Sequence, residues 1–446
     1  MKYFFISLLL ILNFKLMADE GGLTVLAVGE AELLKDKMLI LNPNINNQHK
    51  FQKNMEELLK IIRNDFSFYQ KRFFLIAPEN NSSEIKSETN ISNWKSQGIR
   101  YLISSSITKS ESSNKDKINF IIEDLKNSKT IATLNFESNL LQNFSRSLAH
   151  DMADDLYQKI TGKSSIFKSK IIFVSDKNSR PSKVVKEVYK MDFDGQNVEA
   201  LTNHGGLVMS PSMSNDGQWL LYSMISNTGV KRNNNLYLMN LKNKVTKIVS
   251  DKEGINSGGV FIPNKNSIAL TLTHTGNAEI FELNLDTKNL RKITNHFASD
   301  VDPSFNEDGS LMAFLSDRGG KAMIYTLNPK GEEQGVTRVS FVGKYNATPS
   351  FSPDGKQIVF SSWLDQTFDL FKISVNGQSL IRLTKNFGLN ESPSFSPDGE
   401  FILFSNQKIL SRKKIEQNLY ISDSEGEIIG AITAHFGNCT SPRWYK

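Results

Sequence analysis

At 446 residues the chain is about three times a usual single-domain length, enough for two domains with sizeable cores. Apolar residues make up 39% and charged residues 22%, far too polar a balance for a polytopic membrane protein. A formal net charge of +6 gives no electrostatic footprint of the kind a nucleic-acid binder needs, and the single cysteine, Cys439, excludes an intramolecular disulfide or a cysteine-built zinc site.

Residues 1–18 read as a secretory signal peptide: a basic start at Lys2, an apolar run from Tyr3 to Leu12, and the small residue Ala18 before Asp19 and Glu20. So short a run does not span a bilayer, and no cysteine follows it to carry a lipid, so the mature chain is expected to be soluble outside the cytoplasm. From Asp19 to about Ser165 the pattern is mixed. Strands are expected at Leu23 to Val28, Phe73 to Ala77, Ile99 to Ser104, Ile118 to Asp124 and Thr130 to Phe136. Phe51, Met55, Leu58, Leu59 and Ile62 make one helical stripe, and Phe144, Leu148, Met152, Leu156 and Ile160 a second. Residues 19–165 therefore predict a small α/β domain with helices on one face of a sheet. The polar stretches Pro78 to Asn93 and Thr108 to Lys117 read as surface loops, which also accounts for Asn81 and Asn90 in their Asn-x-Ser contexts.

Beyond residue 165 a repeat takes over. The unit is PSFSPDG, a short apolar strand, a strand carrying Leu-Tyr or Ile-Phe, and a last strand ending in Thr or Ser. Its opening residue falls at Pro211, Gly259, Pro303, Pro349, Pro393 and Pro442, about 44 to 49 residues apart, the period of a four-stranded propeller blade. Two residues on stand Met213, Phe261, Phe305, Phe351, Phe395 and Trp444, bulky groups suited to packing between blades. Asp216-Gly217, Asp308-Gly309, Asp354-Gly355 and Asp398-Gly399 supply the tight turn to the second strand, degenerating to Asn264-Lys265 in one copy. Ile171 to Asp176, Val188 to Met191 and Val198 to Thr202 match second, third and fourth strands with no inner strand before them. Ser441 to Lys446 matches an inner strand, and placing it beside Ile171 completes a sixth blade and removes two open sheet edges. The expected fold class is α+β: residues 19–165 as the α/β domain, then residues 166–446 as a six-bladed β-propeller closed by the C-terminal strand.

Catalytic signatures are missing. No Gly-x-Ser-x-Gly elbow, Walker-type phosphate loop or His-Glu-x-x-His helix occurs. His204, His296 and His435 each lie seven residues before an opening proline, where Asn386 stands in another blade. Equivalent positions away from the axis are separated by much of the ring, so turn capping or packing explains them better than a metal. Asp192 and Asp194 in DFDGQN look like a calcium fragment but fall between two strands of one blade, where a hairpin turn accounts for them. No enzyme activity, metal or cofactor is expected.

The signal peptide, the small domain ahead of PxFSPDG blades, and the junction DDLYQKITGKSSIFKSKIIFVS at Asp154 to Ser175 together resemble the TolB family of the bacterial Tol-Pal envelope system. The resemblance covers nearly all of the mature chain. It implies a periplasmic, non-catalytic adaptor, monomeric and without nucleic-acid binding or membrane insertion, that supports outer-membrane integrity and envelope constriction at cell division. Family members bind the peptidoglycan-associated lipoprotein Pal at one mouth of the propeller channel and offer their mature N-terminal segment to TolA. Carried over by position, the Pal contacts are Ile255, Ser257 and Gly258 in the third blade and Val301 and Asp302 in the fourth. The TolA segment is the stretch holding Asp19, Glu20, Leu23 and Val25.

Asn256, Asp300, Asn346, Asn390 and Glu391 also lie just before inner strands, where residues from every blade converge on the axis. They are expected on the Pal face too, although capping of strand ends and turns explains Asp and Asn there equally well. The segment Asp19 to Val28 is either an edge strand or a tail that becomes a strand on a partner. Arg443 stands where other blades carry Ser212, Ser304, Ser350 or Ser394, and either reaches into the channel or pairs with a carboxylate. Two other readings are weighed. A metal-dependent polysaccharide lyase would use His204, His296 and His435; a carbohydrate-binding propeller would need exposed aromatics at the channel mouth, and the repeated inner-strand aromatic is already assigned to packing.

Overall fold

The computed structural model describes residues 35–43, 49–78, 87–109, 115–138, 144–226, 233–331, 333–411 and 414–446, with the side chains of the first helix described from 53 onward. The expected leader, the strand at Leu23 to Val28, the segment with Asp19, Glu20, Leu23 and Val25, and Asn81 lie outside the described residues.

Strands β1 (Asp36–Ile40), β2 (Phe73–Ile76), β3 (Ile99–Lys109), β4 (Asp116–Asp124) and β5 (Lys129–Ser138) form one sheet in the order β2-β1-β3-β4-β5. β1 runs parallel to both β2 and β3, while β3, β4 and β5 are an antiparallel meander. Side chains alternate across this sheet. Met38, Ile40, Tyr101 and Ile103 face helices α1 (His49–Phe68) and α3 (Arg146–Thr161), whose expected stripes supply Met55, Leu58, Leu59, Ile62, Met152 and Leu156 to the core. Ser145 caps the start of α3 by accepting from Leu148 N, and Gly162, at φ +71°, ends it.

Two elements depart from expectation. β1 lies where no element was expected, and the polar stretch from Pro78 contains a third helix, α2 (Glu88–Ser96), capped by Ser87. Its Ile91 and buried Trp94 pack with Leu39, Leu41, Ile99, Leu102 and Leu125 on the other face of the sheet, so helices cover both faces rather than one. With only two apolar residues in nine, α2 is too short and polar to show a periodic stripe. No helix among the described residues is long and apolar enough to cross a membrane.

The second half is six four-stranded antiparallel sheets. The inner strands of blades 2 to 6 are Leu207–Met213, Asn256–Phe261, Asp300–Phe305, Asn346–Phe351 and Leu389–Phe395. Blade 1 takes its inner strand, Cys439–Tyr445, from the end of the chain. It pairs antiparallel with Lys170–Ser175, setting Trp444 opposite Ile171 and Cys439 opposite Ser175. Each inner strand carries a bulge. Its residue of positive φ, just before the opening position, is Ser210, Gly258, Asp302, Thr348, Ser392 or Ser441. The Ser-x-Asp-Gly turns are equally regular. Ser214, Ser352 and Ser396 each donate to the turn aspartate and accept from the first N–H of the second strand, while Gly217, Gly355 and Gly399 adopt positive φ.

The N-terminal domain sits on the Asp-Gly-turn face, over blades 1 and 6. One apolar core runs through both: Phe66, Tyr69 and Tyr157 continue into Ile166, Phe167, Phe193, Phe401 and Trp444. Ile166 and Phe167 are fully buried, so the junction after α3 is part of the core and not a loose tether. Polar contacts frame it. The Tyr69 hydroxyl donates to Asp398 (2.6 Å) and accepts from Ile166 N (3.0 Å), Arg72 pairs with Glu400 (2.8 Å), and Arg146 pairs with Asp194. Within the junction, His150 Nδ1 lies 2.8 Å from Asp65 Oδ2, with Asp192 3.8 Å from its other ring nitrogen and Lys170 bound to Asp192. Burial pushes the Asp65 carboxyl up to about 6, opposed by its hydrogen bond to His150.

A raised carboxyl means that the folded state holds a proton more tightly than the unfolded chain, so this group's contribution to stability falls as pH rises from about 4 to 6. Asp65→Asn, which retains an acceptor for His150, is expected to gain on the parent chain by on the order of 2 kcal/mol across that interval, measured as the difference in urea unfolding at the two pH values. Trp444 donates through Nε1 to Ser169 (2.8 Å) and through its backbone N to Ser394 (3.1 Å) while packing in the shared core. Trp444→Ala is expected to cost about 3–5 kcal/mol, read by equilibrium denaturation.

Candidate functional site

The channel has two chemically different mouths. At one, the inner strands begin, the connections between blades arrive, and the turns between second and third strands cluster. Ten described residues here were expected on the Pal face, and the structure divides them. Asn256, Asp300, Asn346 and Asn390 hold one repeated position at the start of an inner strand, and all four side chains are fully buried. Cys439 occupies the same place in blade 1; it too is buried, which drives its thiol up to about 11.

The three asparagines are latches between blades, whereas Asp300 is held within its own blade. Asn256 accepts from Ser250 Oγ (2.6 Å) and Lys252 N (2.9 Å) and donates to the carbonyls of Asn234 and Lys252. Asn346 accepts from Ser340 Oγ (2.5 Å) and donates to Val342 O and Ser362 Oγ, both at 2.9 Å. Asn390 donates to Thr384 Oγ1 (3.2 Å) and Asp369 (3.3 Å). Asp300 is held by Arg318 (2.8 Å), and burial raises its carboxyl to about 6. Capping, not exposure to a partner, is therefore what these side chains do. The repeated Thr or Ser ending each outer strand gains a reason as well: Thr294, Ser340, Thr384 and Thr433 accept from the third-strand N–H of their own blade, at 2.8 to 2.9 Å.

Ile255 is exposed at this mouth; Ser257, Gly258, Val301, Asp302 and Glu391 are partly exposed. Burial raises the Glu391 carboxyl. Gly258 and Asp302 belong to the positive-φ ring and face the channel lumen. Around them stands a rim that sequence reasoning missed: Phe297, Phe341 and Tyr345 are all exposed, with Ile409, Leu410 and Ile415 on the hairpin of blade 6. Aromatics are therefore present at a channel mouth after all.

Phe297 is the most exposed of them, at 86%, and its neighbours explain why. It shares a place in the interblade connections with Phe387 and Phe436. Phe387 packs on the cross-strand pair Phe404 and Tyr420 (6.4 and 5.1 Å), and Phe436 on Phe173 and Tyr189 (5.8 and 5.1 Å). In blade 4 the corresponding pair, Phe314 and Tyr325, is covered by the Arg318 guanidinium at 5.4 and 5.6 Å, itself held by Asp300 and Glu333. With its seat taken, Phe297 turns outward against only the His296 ring, 4.2 Å away. The shared repeat position of Phe297, Phe387 and Phe436 is readable in the sequence; which of the three is displaced is set by Arg318.

The histidines are not brought together. His204 bonds the Tyr222 hydroxyl (2.8 Å), His296 Nδ1 accepts from Ala298 N (3.1 Å), and His435 is exposed in its own turn. Among the described residues the one group of three close enough to share a metal is Asp65, His150 and Asp194 at the domain junction, where Arg146 already neutralises Asp194. Asp192 and Asp194 do form a hairpin turn, binding Asn197 (2.6 Å) and Gln196 N (3.2 Å).

The profile of the TolB beta propeller domain family matches residues 157–446. The Tol-Pal system protein TolB of Francisella tularensis subsp. mediasiatica (strain FSC147) is 30% identical over 295 residues, and the chain spans 64% of that relative's length, with 64% of its own residues aligned. Among solved structures, TolB from Acinetobacter baumannii superposes with a TM-score of 0.75 at 22% identity, covering 92% of this chain and 96% of that one, which extends the shared fold to the N-terminal domain. On the match across all six blades, the chain belongs to the TolB beta propeller domain family.

Proposed function

We propose that the chain is a periplasmic, non-catalytic adaptor of a Tol-Pal system, exported by its leader and built of the two domains expected at 19–165 and 166–446. It binds the peptidoglycan-associated lipoprotein through the mouth where the inner strands begin, and TolA through the segment holding Asp19, Glu20, Leu23 and Val25. In that role it supports outer-membrane integrity and constriction at division. The observation that carries the reading is the apolar rim of Ile255, Phe297, Phe341 and Tyr345 around that mouth. Burying a Phe side chain is worth about 1.5–3 kcal/mol, so a ring excluded from its own blade gains most from a partner surface. Ser257, Gly258, Val301, Asp302 and Glu391 form the polar inner edge. Asn256, Asp300, Asn346 and Asn390 act one step back, by fixing the strands that carry those contacts.

The test is calorimetric titration of the chain from Asp19 with the soluble domain of the lipoprotein from the same bacterium. Saturable one-to-one binding is expected, weakened about tenfold or more by Phe297→Ala or Tyr345→Ala with thermal unfolding unchanged. No saturation at high micromolar concentration would overturn the proposal. Asn346→Ala should behave in the opposite way: it removes the acceptor of the Ser340 hydroxyl and the donor to Ser362 Oγ, and its cost of about 1–3 kcal/mol should appear in denaturation of the free protein.

A further inference from the structure

The second mouth, on the Asp-Gly-turn side, is a funnel of about 470 Å³. Its wall includes the residue after the opening position of each inner strand: Ser212, Val260, Ser304, Ser350, Ser394 and Arg443. Ser394 accepts from Trp444 N. The hydroxyls of Ser212, Ser304 and Ser350 have no hydrogen-bond partner among the described residues. Arg443 makes one hydrogen bond through its guanidinium, Nη1 to Pro442 O at 3.1 Å, and its unbonded nitrogens, Nε and Nη2, are not sealed from solvent. Its one countercharge is Asp302, which does not come within ion-pair distance of it. Below the funnel, Arg443 and Asp302 both line a small chamber of about 70 Å³ inside the positive-φ ring. The remaining charges on the wall, Glu307 and Lys446, offset each other at the rim.

A half-buried guanidinium is ordinarily paired, because desolvating its charge without a partner is costly. Here it is aimed into a funnel beside three free hydroxyls. We propose that this funnel is a binding site for a small carboxylate-bearing ligand, whose carboxylate accepts from the Arg443 guanidinium with the hydroxyls of Ser212, Ser304 and Ser350 donating around it. A single guanidinium matches one carboxylate in charge and in fork geometry. A phosphate dianion would leave a negative charge uncompensated above Asp302. The site lies at the mouth away from the apolar rim and does not depend on the adaptor reading.

The experiment titrates the full chain with N-acetylglycine, following heat and the Arg443 Nε resonance, with N-acetylglycinamide and inorganic phosphate as comparators. Saturable binding of the carboxylate with a shifted Arg443 resonance, and none with the amide, is expected. Arg443→Gln should weaken it about tenfold or more. Because Arg443 lies in the strand that closes the ring, the double variant Ser304→Ala/Ser350→Ala, on other blades, serves as the second reading. It should weaken binding about threefold or more with thermal unfolding unchanged. Equal binding of the amide, tighter binding of phosphate, or carboxylate binding indifferent to both variants would overturn the assignment, as would no saturable response.

Discussion

The pairing of Cys439–Tyr445 with Lys170–Ser175 is the contact on which the rest depends. It joins residues at opposite ends of the propeller, so blades 1 and 6 each lack a neighbour on one side until it forms. It also places Trp444 where blade 6, blade 1 and the N-terminal domain meet, with Phe401 on one side and Ser169 on the other. Closure and domain docking are therefore one event in packing terms: the same indole completes the last interblade contact and extends the core into α1 and α3. The buried junction at Ile166 and Phe167 follows from this, because the chain must pass through that core to reach its first strand.

Closing a ring of six sheets brings six inner strands to one axis, and the bulge in each decides what the axis looks like. The positive-φ residue shifts the register by one and turns the following residue, a proline in every blade but the third, into the blade, leaving small or short polar groups on the lumen. Asp302 is the exception among them, and Arg443, one layer away, supplies the only charge that counters the burial raising its carboxyl. Ahead of the bulge, the buried amides Asn256, Asn346 and Asn390 tie blades 3, 5 and 6 to their predecessors. Polar side chains in these positions are costly unless satisfied, and the hydrogen bonds of Asn256 and Asn346 show how completely that demand is met. They specify the orientation of neighbouring blades, which apolar packing alone fixes less sharply.

How much of this the sequence made legible depended on repetition. Every blade, the closing strand and the Asp-Gly turns could be followed copy by copy, because the same physical requirement recurs at a fixed spacing. β1 and α2 have no second copy and little periodicity; α2 is held by one tryptophan, Trp94, and that anchor becomes visible only against Leu39 and Leu102. The candidate face was legible as a place but not as a set of side chains. Position in the repeat put Asn256, Asp300, Asn346 and Asn390 at the mouth, yet whether a short polar side chain turns outward or back into its blade depends on the hydroxyl ending the previous outer strand. Phe297 escaped notice for a related reason. Its exposure is caused by Arg318, which is distant in the repeat and irregular among blades.

That irregularity bears on what kind of partner the mouth fits. Six similar blades present nearly six-fold geometry, and a ligand that read only the common scaffold would have no preferred rotation about the axis. The exposed apolar residues break the symmetry: Ile255, Phe297, Phe341 and Tyr345 come from the connections into blades 3, 4 and 5, whereas the connection into blade 1 stows its phenylalanine and covers it with Lys177. Blade 6 stows Phe387 likewise under Lys408. The cations that close those two seats are solvated and polar, so on that side the apolar surface comes from the hairpin of blade 6, through Ile409, Leu410 and Ile415, and not from the connections. An asymmetric rim of this kind fixes the orientation of an asymmetric partner, and it does so through Arg318, whose bonds to Asp300 and Glu333 keep Phe297 out of its seat.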